Sequence, residues 1–373
     1  MLLHILIVSN TSWYLRNFRL GLIRSLLERG YEVSILSPKD ESSANLQDAG
    51  CRHIHLEMDN KSVNPISDLV MKRRLSKLYG EISPNLILHY TIKPVIYGSL
   101  AAAKLGIPFI NNVTGLGTAF IKTNWLTWLV KGLYRLSQKN ADRVLFQNAD
   151  DRELFVSERL IPENVPQEVI PGTGIDTDYF SPQPYPESNS ITFLLIARML
   201  WDKGVGEFVE AGRQIKSEFN DVRFQLLGFL DVSNRTAISR EQMQVWVDEG
   251  IIEYLGATDD VRPYIREAHC VVLPSYREGL PRTLLEAAAI GRPIIATDVT
   301  GCREVVEHGV NGYLCKARDA DDLAQKMRDM VKLSIDERRE MGQRGRKKIE
   351  ENFDEKIVVQ KIVNRIESLL KAA

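Results

Sequence analysis

The chain reads as α/β, built as two domains that each carry a parallel sheet. Three observations predict this. Apolar runs of strand length alternate with helix-length amphipathic stretches from start to finish. A length of 373 residues exceeds what one ordinary core organises. A proline-rich interruption, Phe180-Ser181-Pro182-Gln183-Pro184-Tyr185-Pro186, falls near the middle, where regular structure cannot continue.

In the first half, His4-Ile5-Leu6-Ile7-Val8 opens a strand over 3–8, followed by strands near 31–37, 51–57, 84–90, 107–113, 143–147 and 167–170. Their apolar runs suit strands covered on both faces. Helices are expected near 16–29, 65–80, 94–105, 124–140 and 150–158. The second half restarts at Ile191-Thr192-Phe193-Leu194-Leu195-Ile196 and continues with strands near 222–228, 251–256, 270–275, 293–297 and 312–315. A last helix near 356–371 carries Ile357, Val358, Ile362, Ile366, Leu369 and Leu370. The expected division is a first domain over 1–178, a linker over 179–190, a second domain over 191–355 and a terminal helix over 356–373.

Composition is that of a soluble globular protein, 44% hydrophobic and 26% charged, with a formal net charge of −1. No apolar run approaches the roughly 20 residues of a membrane span. The chain enters its first strand with no basic-then-apolar segment before it, so a cytoplasmic protein is expected. Cys51, Cys270, Cys302 and Cys315 lack metal-type spacing and read as reduced core residues. Charge is unevenly placed: residues 60–143 hold 12 basic side chains and three acidic ones.

The richest segment is Glu278-Gly279-Leu280-Pro281-Arg282-Thr283-Leu284-Leu285-Glu286, set between a strand and a helix. Gly279 permits a backbone turn that a side chain would block, and Pro281 fits a first helical position. The amides of Arg282, Thr283 and Leu284 would then be open to an anion at the helix start. Two carboxylates, Glu278 and Glu286, flank that anion site. A diphosphate with hydroxyl-rich groups at both ends, a nucleotide-sugar, matches such a site. Ordinary solvated helix-start carboxylates are the other reading. Arg198 and Lys203 stand at the end of the strand that opens the second half, where permanent cations suit a diphosphate. Two unrelated charges on a solvated loop would look the same. Asp259-Asp260 is better read as a helix cap than as a metal motif.

Pro274 to Glu286, with Gly291-Arg292-Pro293-Ile294-Ile295-Ala296-Thr297-Asp298 and Arg198-Met199-Leu200-Trp201-Asp202-Lys203-Gly204, resembles the donor signature of family 4 retaining glycosyltransferases. The resemblance implies the GT-B fold: two Rossmann-like domains with parallel sheets facing a central cleft, and a C-terminal helix crossing back to the first domain. It implies catalytic roles for Arg198, Lys203 and Glu278. The two cations would neutralise the leaving diphosphate, and Glu278 would meet the donor sugar's hydroxyls. Glu286 would grip the ribose. Gly279, Leu280, Pro281, Arg282, Thr283 and Leu284 would line the donor, and Leu255 would lie at the base-binding edge. A UDP-sugar is implied as co-substrate, with no cofactor and no metal ion.

The first half departs from the family pattern. Members usually carry a Gly-Gly turn after the first strand; here the loop reads Asn10-Thr11-Ser12-Trp13-Tyr14-Leu15-Arg16-Asn17-Phe18-Arg19. Arg16 and Asn17 are therefore assigned to an acceptor that itself carries diphosphate, a plain helix-start loop being the alternative. The histidine that many relatives place after the fifth strand is missing from Asn111-Asn112-Val113-Thr114-Gly115-Leu116-Gly117, so Thr114 or a backbone group would replace it, or its role is dispensable here. Gly115 and Gly117 make no dinucleotide fingerprint, because Phe120 stands where a third glycine belongs. His89, at the end of the fourth strand, and Lys93 just beyond it are assigned to the acceptor, although a lone histidine is more often structural.

Residues 122–139 combine Lys122, Trp125, Trp128, Lys131, Tyr134, Arg135 and Lys139. Cations and tryptophans on one helix suit an anionic membrane surface, and a core helix with its Trp side inward is the alternative. No nucleic-acid module is recognised. Within the family, the resemblance is to bacterial enzymes that extend undecaprenyl-diphosphate-linked sugars, such as those acting on bacillosaminyl-diphospho-undecaprenol. It implies transfer of a hexose or N-acetylhexosamine, with α-linkage, onto a polyprenyl-diphosphate-linked saccharide at the inner face of the bacterial inner membrane. A nucleotide-sugar epimerase and a non-catalytic nucleotide-sugar-binding subunit are the rival readings.

Overall fold

The computed structural model describes residues 2–58, 65–114, 125–188, 190–232 and 234–372. The chain divides into two compact units, Met1–Thr173 together with Glu355–Ala373, and Gly174–Asp354. In the first unit the strands are β1 (His4–Val8), β2 (Glu32–Ser37), β3 (Arg52–His55), β4 (Leu86–Tyr90), β5 (Phe109–Val113), β6 (Arg143–Phe146) and β7 (Gln167–Val169). They form one parallel sheet in the order β3-β2-β1-β4-β5-β6-β7. Its helices are α1 (Ser12–Glu28), α2 (Ser42–Asp48), α3 (Pro65–Ile82), α4 (Ser99–Leu105), α5 (Trp125–Ser137) and α6 (Ala149–Ser157), with a π-helical turn at Pro94–Gly98 leading into α4. Side chains alternate between the faces of the sheet. Ile5 and Ile7 pack with Leu15, Leu22 and Leu26 of α1, while Leu6 and Val8 join Leu75, Tyr79 and Phe109 on the other side.

The second unit carries β8 (Ile191–Ile196), β9 (Val222–Leu227), β10 (Glu253–Tyr254), β11 (Cys270–Leu273), β12 (Ile294–Thr297) and β13 (Gly312–Cys315). These form a second parallel sheet in the order β10-β9-β8-β11-β12-β13. The helices are α7 (Val205–Glu218), α8 (Arg240–Asp248), α9 (Arg262–Glu267), α10 (Arg282–Ile290), α11 (Cys302–Val305), α12 (Ala320–Lys332) and α13 (Ile335–Asn352). Phe193 and Leu195 of β8 enter one core, and Leu194 and Ile196 enter the other. All six β8 residues are buried, which is why that segment reads as an unbroken apolar run.

A final helix, α14 (Glu355–Ala372), returns to the first unit. Val358, Ile362, Val363 and Ile366 enter the core shared with α1. Arg365 grips Glu168 with two hydrogen bonds, Nε to Oε2 at 2.6 Å and Nη2 to Oε1 at 2.8 Å.

Several details differ from the sequence expectation. α1 begins at Ser12 rather than near 16, because the Thr11 hydroxyl caps it by accepting from the Tyr14 amide at 3.1 Å. Arg16 and Asn17 therefore lie on a helix. α2 was not anticipated: its seven residues bury one large apolar side chain, Leu46, too little to register as periodicity. The passage between units falls at 173/174, and residues 179–185 pack on the second unit instead of linking. The cause is Arg292, buried in that unit, whose guanidinium donates to the carbonyls of Gln183 at 3.1 Å, Pro184 at 2.6 Å, Ile265 at 3.1 Å and Arg266 at 2.9 Å. Arg346 binds the Thr177 and Phe180 carbonyls in the same way. The four cysteines are buried free thiols.

Candidate functional site

In the second sheet β8 and β11 are neighbours, yet the chain leaves them in opposite directions, to β9 on one side and β12 on the other. Open parallel sheets bind ligands at the C-terminal edge of such a reversal. Arg198 and Lys203 follow β8, and Glu278 follows β11, so the topology delivers all three to this edge.

Lys203 Nζ and Glu278 Oε1 form a direct ion pair, although 75 residues separate them. Both side chains remain partly accessible. The ammonium keeps further N–H groups for a second acceptor, and the carboxylate keeps its other oxygen. Arg198 is exposed and has no hydrogen-bond or ion-pair partner among the described residues. A fixed cation without a counter-charge at this edge is suited to an incoming anion.

Backbone contacts hold the two loops in register. The Tyr276 amide donates to the Asp202 carbonyl at 3.0 Å, and the Ser275 hydroxyl to the same carbonyl at 3.2 Å. The Tyr276 hydroxyl donates to Glu207 Oε1 at 2.6 Å on α7, and burial beside that carboxylate raises the phenol's pKa. Gly204 sits at φ 72°, where a Cβ would stand 2.0 Å from the Pro274 carbonyl oxygen. Only glycine lets the Lys203 loop approach β11 so closely. Gly301, at φ 80°, plays the same part on the other flank: its Cβ would meet the Gly279 carbonyl at 2.4 Å. Tyr276 and Gly301 lie in segments that carry the family resemblance but were given no role of their own, and Glu207 carries no recognisable spacing signal.

Pro281 is the N-cap of α10, one position earlier than expected, with φ −75° and ψ 113°. The helix start is tied to β8 by the Thr283 hydroxyl, which donates to the Ile196 carbonyl at 3.2 Å. Gly279, Leu280, Arg282 and Thr283 are half-buried along this start. Leu284 corrects the expectation. Its side chain is buried and its amide already donates to the Pro281 carbonyl at 3.1 Å, so it offers no donor to a ligand. Glu286 is buried one turn in, and its carboxylate accepts from Arg282 Nε at 2.9 Å. Burial raises its pKa, and Arg282 opposes the rise. Leu255 is half-buried beside β9 and its amide is spent on the Leu226 carbonyl, so only its carbonyl and side chain can face a ligand. Asp260 is not the N-cap of α9, which is Val261; it accepts from the Arg262 amide at 3.1 Å and from the Arg262 guanidinium at 2.8 Å.

In the first sheet the corresponding reversal lies between β1 and β4. Arg16 is exposed on α1, and Asn17 donates to the Trp13 carbonyl at 2.8 Å. Thr114 is half-buried beyond β5, while Gly115, Leu116, Gly117, Phe120 and Lys122 lie outside the described residues. His89 corrects the expectation of an acceptor contact. It is completely buried, with Nε2 3.0 Å from the Tyr79 hydroxyl and Nδ1 3.0 Å from Asn111 Oδ1. Asn111 passes the network on to Ser99 and Gln138. Both ring nitrogens are engaged, and burial pushes the imidazole pKa down to about 3. It is a neutral packing histidine that braces the π-helical turn, where a Cβ on Gly98 would come 2.6 Å from Nε2. Lys93 pairs with Asp68 at 2.8 Å, and Tyr97 donates to the same carboxylate at 2.8 Å, so its charge is balanced within the unit.

Comparison with known proteins joins this geometry to a family. Residues 4–148 match the glycosyl transferase 4-like model, and residues 190–332 match the model of glycosyl transferases group 1. The chain is 33% identical over 329 residues to the N,N'-diacetylbacillosaminyl-diphospho-undecaprenol alpha-1,3-N-acetylgalactosaminyltransferase of Campylobacter jejuni, covering 83% of this chain and 85% of that protein. It is 25% identical to the Escherichia coli UDP-Gal:alpha-D-GlcNAc-diphosphoundecaprenol alpha-1,3-galactosyltransferase, covering 73% and 70%. Among solved structures, a Rickettsia africae glycosyltransferase superposes with a TM-score of 0.80 at 20% identity over the full length of both chains. Anabaena HepE in complex with UDP-glucose gives 0.80 at 16% identity, covering 98% and 99%. These structural likenesses carry the fold, which is GT-B.

Proposed function

The chain belongs to the group 1, family 4-like glycosyltransferases, and from that premise we propose that it moves a hexose or N-acetylhexosamine from a UDP-sugar, with retention, to a polyprenyl-diphosphate-linked saccharide. The observation that carries the reading is the cluster at the β8/β11 edge: Arg198 without a partner among the described residues, Lys203 paired to Glu278, and the start of α10 with Glu286 behind it. Relatives named for diphospho-undecaprenol-linked acceptors support the acceptor class.

In this reading the acceptor hydroxyl oxygen bonds to the anomeric carbon on the face the diphosphate leaves. The carbon–oxygen bond to the diphosphate breaks with its electron pair, and a β-phosphate oxygen takes the acceptor's proton. Arg198 and Lys203 stabilise the charge gathering on the departing diphosphate. Glu278 orients the sugar through its hydroxyls, and Glu286 accepts from the ribose. Catalysis is then mainly positioning and charge stabilisation. The two cations match the diphosphate's charge, so turnover is expected to survive chelation; loss on chelation and recovery with a divalent ion would remove that element.

The first unit supplies the acceptor-binding surface and touches the cytoplasmic face of the inner membrane. Among the described residues no helix is long and apolar enough to cross a membrane. α5 supports surface attachment by the way it is turned. It packs Tyr134, Val130 and Leu133 on the core, buries Thr127 and Ser137, and still exposes Trp128 at 74%, Leu129 at 44% and Leu136 at 56%. Its cations contribute less than the sequence suggests, since Lys131 pairs with Glu158 at 2.7 Å and Arg135 donates to the carbonyls of Glu158 and Arg159. Attachment therefore rests more on apolar insertion than on headgroup charge.

A panel of labelled UDP-sugars incubated with the protein and a bacterial lipid extract tests the reading. Transfer of label into lipid with an α-linkage supports it. Epimerised donor alone, or bound donor without turnover, would overturn it.

A further inference from the structure

Trp13 is 55% exposed at the start of α1, beside the point where the first sheet reverses between β1 and β4. Single exposed apolar residues are common and need no explanation. This one differs in being held. Its amide donates to Asp40 Oδ2 at 2.9 Å, and its carbonyl accepts from the Asn17 side chain at 2.8 Å. Its ring meets the edge of Phe18 at 5.6 Å, with the planes at 75°. Phe18 leans on Tyr14 at 5.2 Å, Tyr14 on Tyr90 at 6.1 Å, and the buried Arg19 guanidinium lies 4.4 Å over Tyr90. The indole thus leans on an aromatic chain that reaches the core, its backbone held at both ends, at the edge where open α/β sheets bind ligands.

Arg16 follows three positions later, which puts it on the same helix face as Trp13. It is exposed and has no partner among the described residues. Asp40 accepts from the amides of Trp13 and Ser42, and no ion pair joins it to Arg16 among the described residues. A flat apolar plate with one fixed cation a helical turn away is complementary to a two-part ligand. The C–H face of a pyranose covers an indole, and a phosphate pairs with a guanidinium.

We infer that Trp13 and Arg16 read the acceptor: Trp13 stacks on its terminal pyranose and Arg16 holds the diphosphate attached to that sugar. This deepens the proposed function and rests on it for the chemistry of the acceptor. It assigns Trp13 a specificity role that neither the motif resemblance nor the relatives supply.

Calorimetric binding separates this inference from the transfer reading, because it needs no turnover. The probes are an N-acetylhexosaminyl diphosphate on a short polyprenyl chain and the neutral glycoside of the same sugar on the same chain. Trp13→Ala is expected to weaken both roughly tenfold, the equivalent of one contact. Trp13→Phe should recover most of the loss. Arg16→Ala should weaken only the diphosphate probe. UDP affinity, measured alongside, should not move in any of these variants, and the thermal midpoint should fall only slightly in Trp13→Ala, by the one lost edge contact to Phe18. If Trp13→Ala binds both probes as wild type does, or if the wild type binds neither, the inference is overturned. A wild type that binds the diphosphate probe through Trp13 yet transfers nothing would keep the inference and sink the transfer reading.

Discussion

Replacing Gly204 by alanine asks whether the donor site depends on the closeness of two loops. The perturbation is one methyl group placed 2.0 Å from the Pro274 carbonyl oxygen, on a backbone held at φ 72°. Real Cβ contacts essentially never fall below 3.0 Å, so the Lys203 loop and the end of β11 must part by about 1 Å. Left-handed backbone at a non-glycine residue costs about 1–2 kcal/mol, and the forced repacking about 1–3 kcal/mol more. The Lys203–Glu278 pair spans those loops, and a displacement of about 1 Å at a reacting centre can cost roughly a hundredfold in rate. Gly250→Ala is the matched control: its φ is 70°, but nothing lies within 4 Å of the added methyl group. Transfer to lipid, UDP affinity and urea unfolding would be measured for both variants. Gly250→Ala is expected to lose only the backbone share of stability and to keep its turnover. Gly204→Ala is expected to lose both. Equal stability in the two variants, with Gly204→Ala turning over at about the wild-type rate, would refute the idea that this approach builds the site.

Other outcomes follow from the same geometry. Arg198→Ala and Lys203→Ala should each lower transfer roughly ten- to a hundred-fold, as expected for one charge-assisted contact to the leaving group; undiminished turnover in both would displace the diphosphate from this edge. For His89 the folded pKa lies below the unfolded one, so its stabilising effect is complete above about 6.5 and drains away as pH falls towards about 3. The stability gap between wild type and His89→Gln should therefore narrow on acidification from about 6.5, by at most about 1.4 kcal/mol per pH unit, and a gap independent of pH in urea unfolding would show that the ring is not held neutral. Arg292→Met strips donors from four buried or half-buried carbonyls and should cost at least about 2 kcal/mol, with earlier proteolysis near Gln183; an unchanged midpoint would mean that water replaces the clasp. Trp128→Ser with Leu136→Ser should reduce sedimentation with vesicles of bacterial phospholipid at both low and high salt, whereas loss of binding in wild type at high salt alone would favour headgroup charge over insertion.

Much of this molecule is written locally. The all-buried β8 run, the turn at Gly279 and the stop of α10 at Gly291 are short-range statements about backbone and periodicity, legible without partners. The α1 start, four residues before the expected one, is set by Thr11, a plain capping residue. Leu284 departs from expectation for a related reason: a helix that starts after Pro281 spends an amide on its own cap.

The amino-acid order by itself settled that this is a two-sheet parallel α/β chain, and it marked the residues at the ends of β8 and β11 as chemically special. That is possible because strand burial, turn glycines and helix starts depend on neighbours within a few positions. Tertiary structure alone decided which charges meet. It joined Lys203 to Glu278 across 75 residues, closed His89 into a hydrogen-bonded core, claimed the proline-rich segment for the second unit through Arg292, and left Trp128, Leu129 and Leu136 of α5 exposed. Each of these depends on which strands become neighbours and which helix face the sheet covers, and side-chain spacing along a chain does not encode that.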